Sequence, residues 1–193
     1  MPRRTAAEAR QTCDAVVDAA RRAFTAHGFA CASTSDIAAA AGVSRGAVYH
    51  HFPDKTSLFR AAFEAVEAEL DAAVRTAAKA APGARAAFLA GCRAMLDFMV
   101  RPEYRQIAAV DAPAVLGLEE WHATDAALGL RSVKGGLHAL HRGGYLAEPP
   151  TPTLALLVFG ALTEAGLALS RGEPGVDAPG VIAEIDRLLD RLA

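Results

Sequence analysis

TSDIAAAAGVSRGAVYHHF, Thr34–Phe52, reads as helix, tight turn, helix. Gly42 is the pivot, because a tight turn between two helices needs a residue that tolerates positive φ. Four residues earlier, Ala38 is small enough to let two helices cross closely, and Ile37, Ala41, Val43 and Val48 fall at the inward positions that hold the pair together. Ser44 stands where the second helix begins, and as its N-cap presents a hydroxyl and free backbone N–H groups outward. The exposed face of that helix then carries Arg45, Gly46, Tyr49 and His50. A helix N-terminus already favours an anion. Arg45 suits two bonds to a guanine edge, Gly46 permits close approach, and Tyr49 offers its hydroxyl to a phosphate. Thr34, taken as the cap of the first helix of the pair, and Lys55, at the start of the next helix, flank this surface as further phosphate contacts. His51 is expected to pack or cap locally, and Phe52 to be core.

The rest of the chain is apolar at helical spacing almost throughout, with no convincing alternating strand. Cys13, Val16, Val17, Ala20 and Phe24 mark a first helix that Gly28 stops. Asp54 caps a long helix in which Leu58, Phe59, Ala62, Phe63, Val66, Leu70, Ala73, Val74 and Ala77 keep a 3.6-residue period up to Pro82-Gly83. Phe88, Leu89, Cys92, Met95, Leu96 and Met99 make the next helix, and a short one with Tyr104 and Ile107 runs to Asp111-Ala-Pro-Ala. Another spans about Glu119–Arg142, weakened by Gly129 and Gly135-Gly136. After the linker EPPTPT, Thr151-Pro152 opens helix Thr153–Ser170, and Val181–Leu192 is the last. The expected fold is all-α, with about nine helices.

Bulk composition bounds the function. The 193 residues are 52% hydrophobic and 22% charged, enough for a globular core, and at 6% aromatic that core must be built largely from Ala, Leu and Val. The formal net charge of −2 hides an asymmetry: residues 1–56 sum to +2 and residues 57–193 to −4. Cys13, Cys31 and Cys92 are odd in number and widely spaced, which argues against a disulfide framework and fits a reduced, cytoplasmic compartment. Met1-Pro-Arg-Arg-Thr is no apolar signal core, and Leu154–Leu169 is interrupted by Glu164 and too short to span a bilayer, so no membrane partner is expected. His50 and His51 point about 100° apart on a helix and lack a third ligand, so no metal site is expected, and His138 and His141 read as surface residues. No Ser–His–Asp order and no glycine-rich phosphate loop is present, so the chain is not expected to be an enzyme and no cofactor is implied.

The stretch TSDIAAAAGVSRGAVYHHFPDKTSLFRAAFE resembles the amino-terminal DNA-binding domain of the TetR family of bacterial transcriptional regulators, through Ile37-Ala38, Ala41-Gly42-Val43-Ser44, Gly46, Val48-Tyr49, His51-Phe52 and Lys55. Ala47 departs from the family, which often has Thr there. The resemblance implies a three-helix head over residues 1–54 and a helical ligand-binding and dimerisation body over residues 55–193. It further implies a homodimer on a near-palindromic double-stranded DNA operator, repressing until an unknown small-molecule effector releases it. A helical small-molecule-binding or enzymatic protein with a purely structural helix-turn-helix stays open as the rival.

Two regions of the body carry candidate sites. DAPAVLGLEEWHATD, Asp111–Asp125, is similar to a pattern in one group of TetR-family bodies, and it sets Trp121, the only tryptophan, one helical turn from Asp125. A ring, a carboxylate and apolar walls suit a small molecule. Candidate ligand-binding residues are Phe63, Phe88, Cys92, Met95, Met99, Tyr104, Trp121 and Asp125, each also readable as plain core. Helix Thr153–Ser170 mixes large residues with very small ones, the last helix carries an amphipathic stripe, and the resemblance favours a four-helix dimer interface there. Its candidates are Leu156, Phe159, Gly160, Thr163, Leu167, Ile185, Leu188, Leu189 and Leu192, which equally suit the core of one chain.

Overall fold

The computed structural model describes residues 6–193, and every regular element among them is helical. Met1–Thr5, read above as no signal core, lie outside the described residues. The helices are α1 (Ala6–Cys31), α2 (Thr34–Ala40), α3 (Arg45–His51), α4 (Lys55–Ala80), α5 (Gly83–Met99), a composite α6, α7 (Leu118–Arg142), α8 (Pro152–Arg171) and α9 (Ala178–Asp190). The all-α expectation and its helix count hold for the described residues.

Local chemistry sets most of the boundaries. Gly28, at φ 70 and ψ 167, breaks the helical dihedrals of α1 where the sequence placed a stop. Asp54 Oδ1 accepts from the Ser57 N–H at 2.6 Å and Ser57 Oγ accepts from the Asp54 N–H at 3.2 Å, a reciprocal cap at the start of α4. Thr151 Oγ1 accepts from the Leu154 N–H at 3.1 Å, and Pro152 occupies the first position of α8.

Helix α6 corrects the short helix expected to stop at Asp111-Ala-Pro-Ala. Pro102–Tyr104, Arg105–Asp111 and Ala112–Leu116 succeed one another without leaving helical dihedrals, and the middle stretch is π-helical. Its closing bond runs from the Ala112 N–H to the Ile107 carbonyl, five residues back. The wide turn lies just ahead of Pro113, whose ring would crowd the carbonyl four residues earlier in a regular α-helix.

The chain divides into two compact units, one holding residues up to Val66 together with Pro102–Trp121, the other Glu67–Arg101 together with His122–Ala193. In the first, Phe24, Phe29 and Phe59 meet in edge-on contacts with ring centres 5.2 Å apart for the two pairs with Phe59. Ile37, Val48, Leu58, Ala62 and Phe63 complete a buried apolar core. Helix α6 is tied to α1 by two bonds from the Arg21 guanidinium to the Glu103 carboxylate, both 2.9 Å, and by the Phe29 N–H donating to Asp111 Oδ2 at 2.8 Å just past the break at Gly28. Arg60 on α4 holds Glu120 through two guanidinium nitrogens.

In the second unit α5 packs on α8 and α9, and Arg85 pins α9 through Asp186 Oδ1 at 2.7 Å and Asp190 Oδ1 at 2.6 Å. Two of the three glycines expected to weaken α7, Gly129 and Gly136, serve close packing, while Gly135 has nothing within 4 Å of a Cβ position. A Cβ on Gly129 would stand 2.5 Å from the Phe159 ring, and one on Gly136 2.5 Å from the Phe88 ring. Helix α8, 20 residues long with an 18-residue window of mean hydropathy 1.7, is by length and composition alone long and apolar enough to cross a membrane. Within this unit, however, it buries Ala155, Phe159, Leu162, Thr163, Gly166, Ala168 and Ser170, and Arg171 pairs with Glu164 at 2.9 Å.

Candidate functional site

Helices α2 and α3 are joined by a turn in which Gly42 adopts φ +69. The Val43 N–H returns to the Ala38 carbonyl at 3.0 Å and the Gly42 N–H to Ala39 at 3.1 Å, closing α2 in a tight hook that a side chain at Gly42 would strain. Ile37 and Val48 are fully buried beneath it, and Phe52 joins them as the core residue expected. Ser44 caps α3, its Oγ accepting from the Ala47 N–H at 3.1 Å.

One cap assignment is corrected. Ser33, not Thr34, caps α2, with Ser33 Oγ accepting from the N–H groups of Ser35 at 3.2 Å and Asp36 at 3.5 Å. Thr34 is the first residue of the helix, and this frees its hydroxyl to reach the Tyr49 hydroxyl at 3.3 Å. Arg45 completes the group: its guanidinium lies 5.3 Å from the Tyr49 ring centre and donates to Tyr49 Oη at 3.4 Å. The bonds from Thr34 first, and then Arg45, hold the Tyr49 phenol below its ordinary pKa.

Thr34, Arg45 and Tyr49 therefore form one connected array of donors that includes a fixed positive charge. Ser44, Arg45, Gly46, Tyr49 and His50 are all exposed, and Thr34 is half-buried. His50 stands ring to ring with His51 at 5.4 Å. Lys55 is tied back, its Nζ donating to the Ala30 carbonyl at 3.2 Å and resting 4.6 Å from the Phe29 ring centre. An ammonium has three donors, so this bond leaves donors for a phosphate.

The second unit holds a cavity of about 570 Å³ lined from α4, α5, α7 and α8. Its walls are mainly apolar, with Leu70, Val74, Phe88, Met95, Leu128 and Leu162 among them. Of the eight expected ligand residues, Phe88, Cys92, Met95 and Asp125 line it. Phe63, Tyr104 and Trp121 belong to the first unit's residues and are buried there, and Met99 is fully buried with its sulfur against the backbone of Gly166. Burial pushes the Cys92 thiol up to about 12, which makes it an inert wall group.

Sequence reading missed Glu67. It is 2% exposed and lines the cavity with Oε1 lacking any hydrogen-bond partner. The signal was present: Glu67 lies four residues after Phe63 and three before Leu70, on the apolar stripe of α4. Burial, and secondarily the Asp125 charge, raises its carboxyl to about 8; burial likewise raises Asp125 to about 6, opposed by His122.

The expected dimer residues fall into two groups. Phe159, Thr163, Ile185 and Leu189 are buried within the chain, and Leu167 is half-buried. Leu156 at 57%, Leu188 at 51% and Leu192 at 41% are exposed, as are Gly160 and the neighbouring Leu157.

Known proteins share both the head and the whole fold. Residues 16–62 match the family described as bacterial regulatory proteins, tetR family, and residues 85–192 match the tetracyclin repressor-like C-terminal domain. The crystal structure of a TetR-family transcriptional regulator from Pectobacterium atrosepticum superposes with a TM-score of 0.77 at 33% identity, over 98% of this chain and 95% of that one. The HTH-type transcriptional regulator AcrR of Shigella flexneri is 43% identical over 70 residues, which is 36% of this chain and 33% of that protein. Such matches to curated relatives span about a third of the relatives' length. The transcriptional regulator FadR from Bacillus subtilis, in complex with stearoyl-CoA, shares the fold at 17% identity, with a TM-score of 0.73 over 93% of this chain and 98% of that one. The chain belongs to the TetR family.

Proposed function

We propose that this chain is a homodimeric, sequence-specific DNA-binding transcriptional regulator of the cytoplasm, a repressor released from a near-palindromic operator by a small molecule. The observation that carries the reading is the Thr34–Arg45–Tyr49 array, three linked side chains on the outer face of a helix-turn-helix. A purely structural motif has no use for a guanidinium laid over an exposed tyrosine. In a duplex complex Tyr49 Oη and Thr34 Oγ1 donate to phosphates, Arg45 and His50 face the base edges, Gly46 lets the groove approach, and the Ser44 hydroxyl and Lys55 ammonium flank the contact.

Residues 1–54 act as the DNA-binding head and residues 55–193 as the ligand-binding and dimerisation body. Dimerisation would cover the exposed Leu156, Gly160, Leu188 and Leu192, and would set two copies of α3 about 34 Å apart, one helical turn of DNA. A molecule in the cavity drives release only by binding the released state more tightly than the DNA-bound one. The fold's ability to hold a small molecule is supported by the stearoyl-CoA complex of the FadR neighbour.

The test is selection of bound duplexes from a random pool at two salt concentrations, with Tyr49→Ala as control. Recovery of an inverted repeat that the variant loses supports the reading. Recovery of sequences held equally by the variant would refute it and leave the helix-turn-helix structural.

A further inference from the structure

The cavity's polar chemistry is one-sided. Glu67 on α4 and Asp125 on α7 are 2% and 4% exposed, both line it, and Glu67 Oε1 and Asp125 Oδ2 have no hydrogen-bond partner among the described residues. Buried carboxyl oxygens are nearly always satisfied, because an unpaired one loses its hydration without return. Two such oxygens in one apolar cavity define what is missing: a donor, and one that can bear positive charge. The other charged lining groups do not supply it. Arg75 is engaged by Asp71 at 3.2 Å and is 70% exposed, Asp71 also accepts from Ser132 at 3.1 Å, and Arg131 is exposed. Helices α5 and α8 contribute no charged side chain to the lining, and His122 acts on Asp125 from outside it.

We propose that the effector is an apolar molecule bearing a protonated amine, seated with its ammonium on Glu67 and Asp125 and its hydrocarbon against Phe88, Met95 and Leu162. This rests on reading the cavity as the effector site. With no cation beside it, burial and the Asp125 charge hold Glu67 protonated near neutral pH. Docking of the ammonium makes the ionised carboxylate the favoured form, so the carboxyl proton leaves to solvent as the ion pair forms. Amine binding is thereby coupled to proton release, and binding of an uncharged analogue of the same shape is not.

The experiment titrates the full-length chain with three probes of one ring system: aminomethyl-anthracene, hydroxymethyl-anthracene and anthracene carboxylate. Affinity is read by calorimetry near pH 7 in two buffers of different ionisation enthalpy. The amine should bind at least about tenfold more tightly than the alcohol, the scale of one charge-assisted hydrogen bond. It should also release protons, as shown by a binding enthalpy that differs between the buffers. Glu67→Gln should reduce the amine to the level of the alcohol and abolish the proton release, with the variant's fold certified separately by its helicity and its urea unfolding. Asp125→Asn should act in the same direction.

Equal or tighter binding of the alcohol would overturn the amine assignment and leave the cavity's effector role standing. Tightest binding of the carboxylate would overturn it in favour of Arg131. An amine preference that survives both substitutions would place the cation elsewhere and overturn it too. Failure of all three probes to bind would remove the effector-site reading along with this proposal.

Discussion

Gly135 and Gly136 are neighbours on α7 with the same intrinsic helix penalty, yet they should answer the same substitution with opposite signs. Replacing a helical glycine by alanine gains about 0.5–1 kcal/mol of backbone entropy and propensity. At Gly135 nothing lies within 4 Å of the new Cβ, so Gly135→Ala should retain that gain. At Gly136 the Cβ would stand 2.5 Å from Phe88 Cδ2 and 3.0 Å from Cε2, atoms of a rigid ring that is 7% exposed. Pushing that ring off its rotamer, toward the cavity that it and Gly136 both line, costs about 1–3 kcal/mol. The net for Gly136→Ala is a loss of up to about 2.5 kcal/mol, and the two variants should differ by about 1–3 kcal/mol. Urea unfolding at one fixed protein concentration measures this, with the midpoint moving and the slope m constant. A chain of this size should show the difference as a Tm gap of several degrees, at about 2–4 °C per kcal/mol. Equal shifts of the same sign would refute the claim that Gly136 is reserved for Phe88.

Charges and exposed faces lead to three further outcomes. Glu67 has its carboxyl raised from 4.5 to about 8 in the folded chain, so the stability that its protonated form contributes is complete below pH 4.5 and is lost as pH rises through 8. Glu67→Gln should therefore match the wild type in urea at pH 4.5 and exceed it at pH 8; a constant difference between the two across that range would contradict the shift. Leu156→Arg combined with Leu188→Arg should convert dimer to monomer in sedimentation with helicity unchanged, since both side chains are exposed within the chain, and a persistent dimer would move the interface elsewhere. Arg21→Met removes both bonds to Glu103 from a guanidinium only 13% exposed and should cost about 1–2 kcal/mol in urea unfolding; a neutral result would mean that the pair adds nothing to the attachment of α6.

Features that depend on short-range chemistry were legible in the sequence. The turn at Gly42 needs its positive φ, the Ser44 and Asp54 caps act across three residues, and a 3.6-residue period is visible over any long helix. Where adjacent residues compete for one role, pattern alone chose wrongly: Ser33 and Thr34 both carry capping hydroxyls, and only the local geometry gives the cap to Ser33. Long-range partners were hidden. Gly129 and Gly136 look like weak points until Phe159 and Phe88 arrive from other helices. In α8 and α9, periodicity does not separate Phe159 and Leu189, which fill the chain's own core, from Leu156 and Leu188, which do not. Glu67 was passed over because a hydrophobic stripe is read by its apolar members, although the acid within the stripe is the informative residue.

The π-helical stretch of α6 bears on chain length. A π turn carries one residue more than the α turn it replaces, so residues 105–111 hold a surplus residue within an otherwise regular helix. Deleting one residue between Arg105 and Val110 would restore α spacing and leave the helix on either side in its present register, because the surplus is absorbed in the wide turn. Asp111 would keep its place beside the Phe29 amide, from which it accepts at 2.8 Å. The hydrogen bond therefore does not depend on the surplus residue. A relative one residue shorter here can keep the same acceptor for the amide just past its α1 break, so a gap at this place in an alignment marks the loss of the wide turn and leaves the junction between the first helix and the sixth as it is.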